Sequence, residues 1–195
     1  MAPPLLCKFG NEKAGEDTLL LNMGSATRCP SKSMCKVLRE GRSCYPAQVE
    51  MRHPVVTTFR ERQERYWRST PKEQVVEDIR RKLSRRIIGT RYLRFNESGD
   101  FWSQECVDKL SYVADALKSA VNITTYGFTA RQDLDFSRAG FLVKGSGHDR
   151  GNHGRCVVID ADGAVPAGYV LCPENCRVCT LCTRDSPVNI AFFER

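Results

Sequence analysis

Near the end of the chain, Cys172-Pro-Glu-Asn-Cys176-Arg-Val-Cys179-Thr-Leu-Cys182 puts four cysteines within eleven residues. A stretch so dense in thiols is not an ordinary core strand or helix. It reads as a loop wrapped around a metal. A cubane iron–sulfur cluster presents its irons at the corners of a small tetrahedron, and a short loop can offer it a thiolate every third or fourth residue, as ferredoxin-type runs do. Structural zinc usually takes one close pair of cysteines, a longer excursion, then a second pair. That excursion is missing here, although zinc can combine one close couple with distant cysteines. Disulfides between cysteines this close would close strained rings. The spacing therefore points to an iron–sulfur cluster, 4Fe-4S in the simplest case, with zinc as the alternative.

A second, looser set lies near the start: Cys29-Pro-Ser-Lys-Ser-Met-Cys35, then Cys44-Tyr45-Pro46. In ferredoxin-like runs the fourth cysteine can serve a different cluster. Cys29, Cys35 and Cys44 are thus expected to bind metal too, either in a centre shared with Cys172, Cys176, Cys179 and Cys182 or in a neighbouring one. Cys7, Cys106 and Cys156 stand alone, and burial in the core is the expectation for each.

The 195 residues suffice for one sizeable core, and a single domain is expected. No apolar run approaches the length of a membrane span, and Met1-Ala-Pro-Pro-Leu-Leu-Cys7 lacks the basic start and apolar core of a signal peptide. A cytoplasmic location is expected, where clustered cysteines mean metal more often than disulfides. The net charge of +7 allows an anionic partner. Arg80, Arg81, Lys82, Arg85, Arg86, Arg91 and Arg94 fall in a stretch with no acidic residue. It reads either as a solvated helix face or as a patch for nucleic acid or phosphate.

Along the chain, Thr18-Leu-Leu-Leu-Asn22 is of strand length. Helix begins near Ala47, breaks at His53-Pro54, and resumes with Phe59, Gln63, Tyr66 and Trp67 near one face. Thr70-Pro71-Lys72-Glu73 has the form of a capped helix start, with Thr70 as the cap. Arg91–Phe95 alternates as a strand, Ser103 caps the next helix, and Asn122–Thr129, Ala139–Val143 and Cys156–Asp160 read as further strands. The segment from Ala161 onward reads as loop. Strands separated by helices predict an α/β fold with a mostly parallel open sheet or partial barrel and a cysteine-rich C-terminal loop region; the chain is too short for a complete eight-fold barrel.

Function in such sheets gathers at the carboxyl ends of the strands. Asn96, Glu97 and Asp100 stand there after one strand. Arg131 and Asp133 stand there after the next. Glu97 and Asp100 are candidates for catalysis or for positioning a cation, a ribose or an amine. Arg131 joins them as a candidate, unless it is simply a surface pair with Asp133. His148 and His153, in a glycine-rich loop that matches no phosphate-binding fingerprint, read as loop polar residues. His53, near the first cysteine set, is an outside candidate ligand.

Leu21-Asn-Met-Gly24, Cys29-Pro30, Met34-Cys35, Cys44-Tyr45, Arg94-Phe95 with Glu97-Ser-Gly-Asp-Phe101, Tyr126-Gly-Phe-Thr-Ala-Arg131, Asp133-Leu134 and the Cys172-Pro173 set together resemble the bacteriophage gene product 88-like proteins, over nearly the whole chain. The proline–cysteine–tyrosine pattern followed by α/β units is also similar to radical S-adenosylmethionine enzymes, in which three cysteines hold a cluster and leave one iron open. Here the three cysteines are separated by five and eight residues, unlike the usual motif. The resemblances imply a phage protein of the infected host's cytoplasm, with S-adenosylmethionine as a candidate cofactor; Asn96, at the same strand end as Glu97 and Asp100, and Tyr126 are the candidate cofactor contacts. They also leave open a non-catalytic protein that modulates a host or phage macromolecule.

Overall fold

A computed structural model describes residues 7–11, 14–86, 89–184 and 186–194. Met1 to Leu6, and with them most of the segment weighed as a leader, lie outside the described residues.

One sheet ties the chain together. Its strands are β1 Lys8–Phe9, β2 Thr18–Leu21, β3 Tyr92–Phe95, β4 Thr124–Thr129, β5 Leu142–Ser146, β6 Arg155–Ile159, β7 Tyr169–Leu171 and β8 Asn189–Phe193. They lie in the order β1-β2-β3-β4-β5-β6-β8-β7. All pairings are parallel except that of β1 with β2, and the sheet does not close on itself. The fold is the expected α/β class with a mostly parallel open sheet.

Helices α1 Lys36–Arg39, α2 Tyr45–Arg52, α3 Pro54–Ser69 and α4 Lys72–Ser84 connect β2 to β3, and α5 Gln104–Val121 connects β3 to β4. Alternation along the strands gives the sheet two unlike faces. Leu19, Leu21, Leu93, Phe95 and Val143 point to one face and pack with Tyr66, Trp67, Val75, Ile79, Val107, Leu110 and Leu117 from the helices. By the same alternation and the strand register, Tyr92, Arg94, Tyr126, Phe128, Lys144 and Cys156 fall on the opposite face. The helix-covered face is the hydrophobic core. The other face is aromatic and cationic, and the C-terminal cysteine loop lies against it.

Several local expectations shift. Thr70 does not open α4; its amide bonds back to the Tyr66 carbonyl at 3.0 Å and closes α3, leaving Pro71 at the head of α4. Ser103 does cap α5, accepting from the Cys106 amide at 3.3 Å. The fifth strand starts at Leu142 rather than Ala139. The Asn152 side chain takes the Phe141 carbonyl at 2.9 Å and the Val143 amide at 2.8 Å, so main-chain groups that a strand partner would use are already bonded. The link from β4 to β5 carries turns, not a helix. The tail expected to be loop supplies β7 and β8. Ile190 and Ala191 are fully buried because β8 is inserted between β6 and β7, where a strand reads as a short apolar run instead of an alternation.

Candidate functional site

Two clusters of chemistry-bearing residues gather against the sheet. Past the carboxyl ends, the connections after β2 and β3 are locked together. The Met23 amide bonds the Ser98 carbonyl at 3.1 Å, and Asn22 accepts from the Ser98 amide at 2.8 Å while donating to Gln63 at 2.8 Å. Gly99, at φ +75°, lets these connections meet: a Cβ there would lie 2.7 Å from the Gly24 amide nitrogen. Glu50 holds the assembly from α2, accepting from the Ala26 amide at 2.8 Å and pairing with Arg60 of α3 at 2.8 Å.

This framework carries the N-terminal cysteines. Cys35 and Cys44 stand at the starts of α1 and α2, and the Cys29 thiol bonds Ser31 at 3.2 Å. Burial pushes the Cys29 and Cys44 thiols above the ordinary range, with smaller additions from Asp100 and Cys44 acting on Cys29 and from Cys35 acting on Cys44. The three cysteines are thus electrostatic neighbours, and Asp100 is beside them. Arg42 straps their loop over the far ends of β6 and β8 through Asp160 at 2.9 Å and Glu194 at 3.0 Å.

Asp100 is buried and accepts from Thr129 Oγ1 at 2.7 Å and from the Phe101 and Ala130 amides at 2.8 Å each. Burial pushes its carboxyl above the usual range against these hydrogen bonds. Asn96 extends the pairing of β3 with β4: its amide group bonds both the carbonyl and the amide of Phe128. Glu97 accepts from Asn11. Arg131 is committed to a clamp. It donates to the Phe101 and Trp102 carbonyls at 2.7 and 3.1 Å and holds Asp133 through two bonds of 2.7 and 2.6 Å. Asp100 and the N-terminal cysteines come together; Asn96 and Arg131 shape the edge around them.

Toward the amino ends of β2 and β3, the C-terminal loop folds onto the aromatic face. Cys172, Cys176, Cys179 and Cys182 all line one small cavity, together with Thr18, Tyr92, Tyr126 and Asn175. The loop is turned by Glu174 at φ 58° and by Asn175, whose side chain accepts from the Arg177 amide at 3.2 Å and whose carbonyl accepts from the Cys179 amide at 3.1 Å. Cys172 is tethered to the sheet by its amide on the Ala191 carbonyl at 2.8 Å. Burial pushes the Cys182 thiol up to about 12, against the lowering influence of Arg94 and Lys144. Tyr126, expected as a cofactor contact, lines the cavity of the C-terminal cysteines.

Among the described residues no three His, Cys, Asp or Glu side chains are drawn into a ready coordination shell; the thiols gather without closing on one point. Burial pushes the Cys156 thiol up to about 11, with Ser146, Lys144 and Arg94 opposing the rise and Cys35 adding to it.

The basic stretch is dispersed. Arg80, Arg81 and Arg91 pair with Glu77, Asp78 and Asp17 at 3.7, 2.9 and 2.6 Å. Lys82 donates to the Cys7 carbonyl at 2.7 Å, Arg86 lies 3.7 Å over the Phe9 ring, and Arg94 turns to the sheet face. His148 and His153 are both buried, and His53 is exposed at the junction of α2 and α3. Glu50, Arg60 and Lys144 escape a reading of the sequence, because each looks like a surface charge until its distant partner is known; Lys144 alone carries a signal, interrupting the apolar run Phe141-Leu-Val-Lys144.

No helix among the described residues is long and apolar enough to cross a membrane. No match to the chain is found among curated proteins or among solved structures. The family model described as gene product 88 matches residues 5–142. That span includes Cys29, Cys35, Cys44, the helices and the strands through β4, and it ends before the Cys172–Cys182 run, short of the near-complete coverage expected. These findings lend no support to the similarity with radical S-adenosylmethionine enzymes. By the match over residues 5–142, the chain belongs to the bacteriophage gene product 88 family.

Proposed function

We propose that the protein is an iron–sulfur protein with two thiolate centres, one at each cysteine set. The observation that carries this reading is the convergence of Cys172, Cys176, Cys179 and Cys182 on one cavity, against a face that also presents the Arg94 guanidinium, whose Nε is buried without a hydrogen-bond partner. Four thiols near a half-buried cation fit an anionic metal–thiolate group. Those four residues would hold a closed centre. Cys29, Cys35 and Cys44 would hold one with an open coordination position. When bound, such groups supply one-electron transfer, and an open iron supplies a position for a ligand such as S-adenosylmethionine.

The chain's own residues do the rest. Asp100, fixed by Thr129 and two amides, keeps a buried carboxyl behind Cys29. The Arg42 strap holds the cysteine loop down over the strand ends. Glu97 stands at the same edge, where an amine or ribose hydroxyl of a bound ligand can be met.

A second reading rests on size. The C-terminal cavity measures about 20 Å³, room for about one water. A single zinc ion fits that space more readily than a cubane, and the protein would then be a zinc-stabilised module binding a host or phage macromolecule.

The test is spectroscopic. Anaerobically purified protein is reduced with dithionite and followed by visible absorption and electron paramagnetic resonance. The proposal expects iron–sulfur signals, one set lost in Cys176→Ser, and another that changes on adding S-adenosylmethionine and is lost in Cys29→Ser. Colourless protein with zinc lost on Cys176→Ser establishes the second reading instead.

A further inference from the structure

Arg94 is the third residue of β3 and pairs in register with Tyr126. It lies two residues along the same face from Tyr92. Tyr92 and Tyr126 both line the cavity shared by the four C-terminal cysteines. The guanidinium carbon is 5.2 Å from the centre of the Phe128 ring. Its Nε is shut off from solvent with no hydrogen-bond partner, and no ion pair to Arg94 is present among the described residues. An arginine in that position keeps its charge while its Nε lacks the hydrogen bond that normally offsets burial. Burial works against the cation, and Tyr126, Glu97, Cys182 and Cys176 work in its favour. Two of those four groups are cysteines of the cavity.

Resting on the two-centre reading above, we infer that Arg94 is the counter-charge of the C-terminal site, a positioning residue that favours metal binding by the four thiols. A divalent cation that displaces four thiol protons leaves a set with a net charge of minus two, half-enclosed against the aromatic sheet face. A fixed guanidinium on that face offsets the excess. It also explains the orphaned Nε: the partner of Arg94 is the thiolate set, which exists in full only with metal bound. Lys144 is a weaker helper, since its ammonium already donates to the carbonyls of His153 and Val188 at 2.8 and 2.7 Å.

The probe is Zn²⁺ titrated into the full-length chain carrying Cys29→Ser, Cys35→Ser and Cys44→Ser, with a chromophoric chelator as competitor and Co²⁺ thiolate absorption as a check on the ligands. In that background Arg94→Gln is expected to weaken Zn²⁺ binding about tenfold or more, and Arg94→Lys to recover most of it, because the charge and not the shape is what matters. Glu97→Gln removes an acid that Arg94 senses and keeps an acceptor for Asn11; it is expected to tighten binding, so the inference stays open to test if Arg94→Gln fails to fold. Arg94→Gln binding Zn²⁺ as tightly as its parent, or Arg94→Lys as weakly as Arg94→Gln, overturns the inference while leaving the site standing. Zn²⁺ binding that is absent from the parent, or unaffected by Cys176→Ser, overturns the site itself. If the purified chain carries iron–sulfur, Arg94→Gln is expected to lower the reduction midpoint by about 59 mV, a tenfold change for one electron; an unchanged midpoint contradicts the inference.

Discussion

Glu50 on α2 and Arg60 on α3 meet at 2.8 Å with both side chains shut away from water. The pair does more than join two helices. Arg60 also donates to the Pro46 carbonyl at 3.0 Å, just past Cys44, and Glu50 receives the Ala26 amide, just before Cys29. The two ends of the N-terminal cysteine loop are thus tied to this buried ion pair. Arg60→Ala leaves Glu50 buried without its cation, and removing one member of a buried pair costs about 3–5 kcal/mol. Urea unfolding reads the loss, and Glu50→Gln with Arg60→Met together is expected to cost less than Arg60→Ala alone. A loss below about 1 kcal/mol for Arg60→Ala, the scale of an exposed pair, would show that the pair does not hold the loop.

His148 should make the fold acid-sensitive. Its Nε2 meets the Thr129 carbonyl at 3.0 Å, and its Nδ1 accepts from the Arg150 amide at 3.1 Å. The ring is therefore neutral, and burial holds its pKa below the ordinary histidine value, against the opposing pull of the Thr129 carbonyl, Asp100 and Asp149. Below pH 6.5 the unfolded chain takes up the proton first, so stability contributed by His148 is present above that pH and is lost as pH falls through the lower folded value. Thermal unfolding between pH 7 and 5 should fall more steeply for wild type than for His148→Gln. Parallel curves would remove His148 from the account.

Gly99 and Gly41 both have φ +75°, but only at Gly99 would a Cβ strike a neighbour, 2.7 Å from the Gly24 nitrogen, whereas Gly41 has open space. Alanine at Gly41 carries the left-handed backbone cost alone, about 1–2 kcal/mol. Gly99→Ala adds the collision and should lose clearly more in the same unfolding assay. Equal losses would mean that the two connections at the carboxyl edge are not pressed together.

How much of this was legible in advance depended on whether a residue's environment is local. The periods that mark β2, β3, β4 and α3 to α5 lie within single segments and could be read directly. The cysteine spacing likewise picked out both thiol sets. β8 was missed because burial on both faces erases the alternation that announces a strand, leaving Ile190-Ala191 unremarkable. The start of β5 was misplaced because Asn152, ten residues on, takes the main-chain groups that would have begun it earlier. Arg131 looked like a candidate catalytic group, and only the fold shows that its donors are occupied by Phe101, Trp102 and Asp133. Arg94 stood in the basic stretch and gave no hint that its strand position turns it inward.

The dispersal of that stretch has its own consequence. With Arg80, Arg81 and Arg91 paired and Lys82 and Arg86 lying against Phe9, only weak polyanion binding is expected, present at low salt and falling steeply as salt rises. Filter binding with duplex DNA at several salt concentrations measures it. Retention at high salt would show a base-reading surface that the geometry does not contain.

The central claim is that the cysteine sets hold metal. The most direct measurement is the iron, acid-labile sulfide and zinc content of the anaerobically purified chain, set beside that of Cys176→Ser and Cys29→Ser. Stoichiometric iron and sulfide, reduced in part by each substitution, is the expected result. Protein free of iron and zinc, with both variants as stable as wild type, would contradict the account and leave the seven clustered cysteines as ordinary thiols.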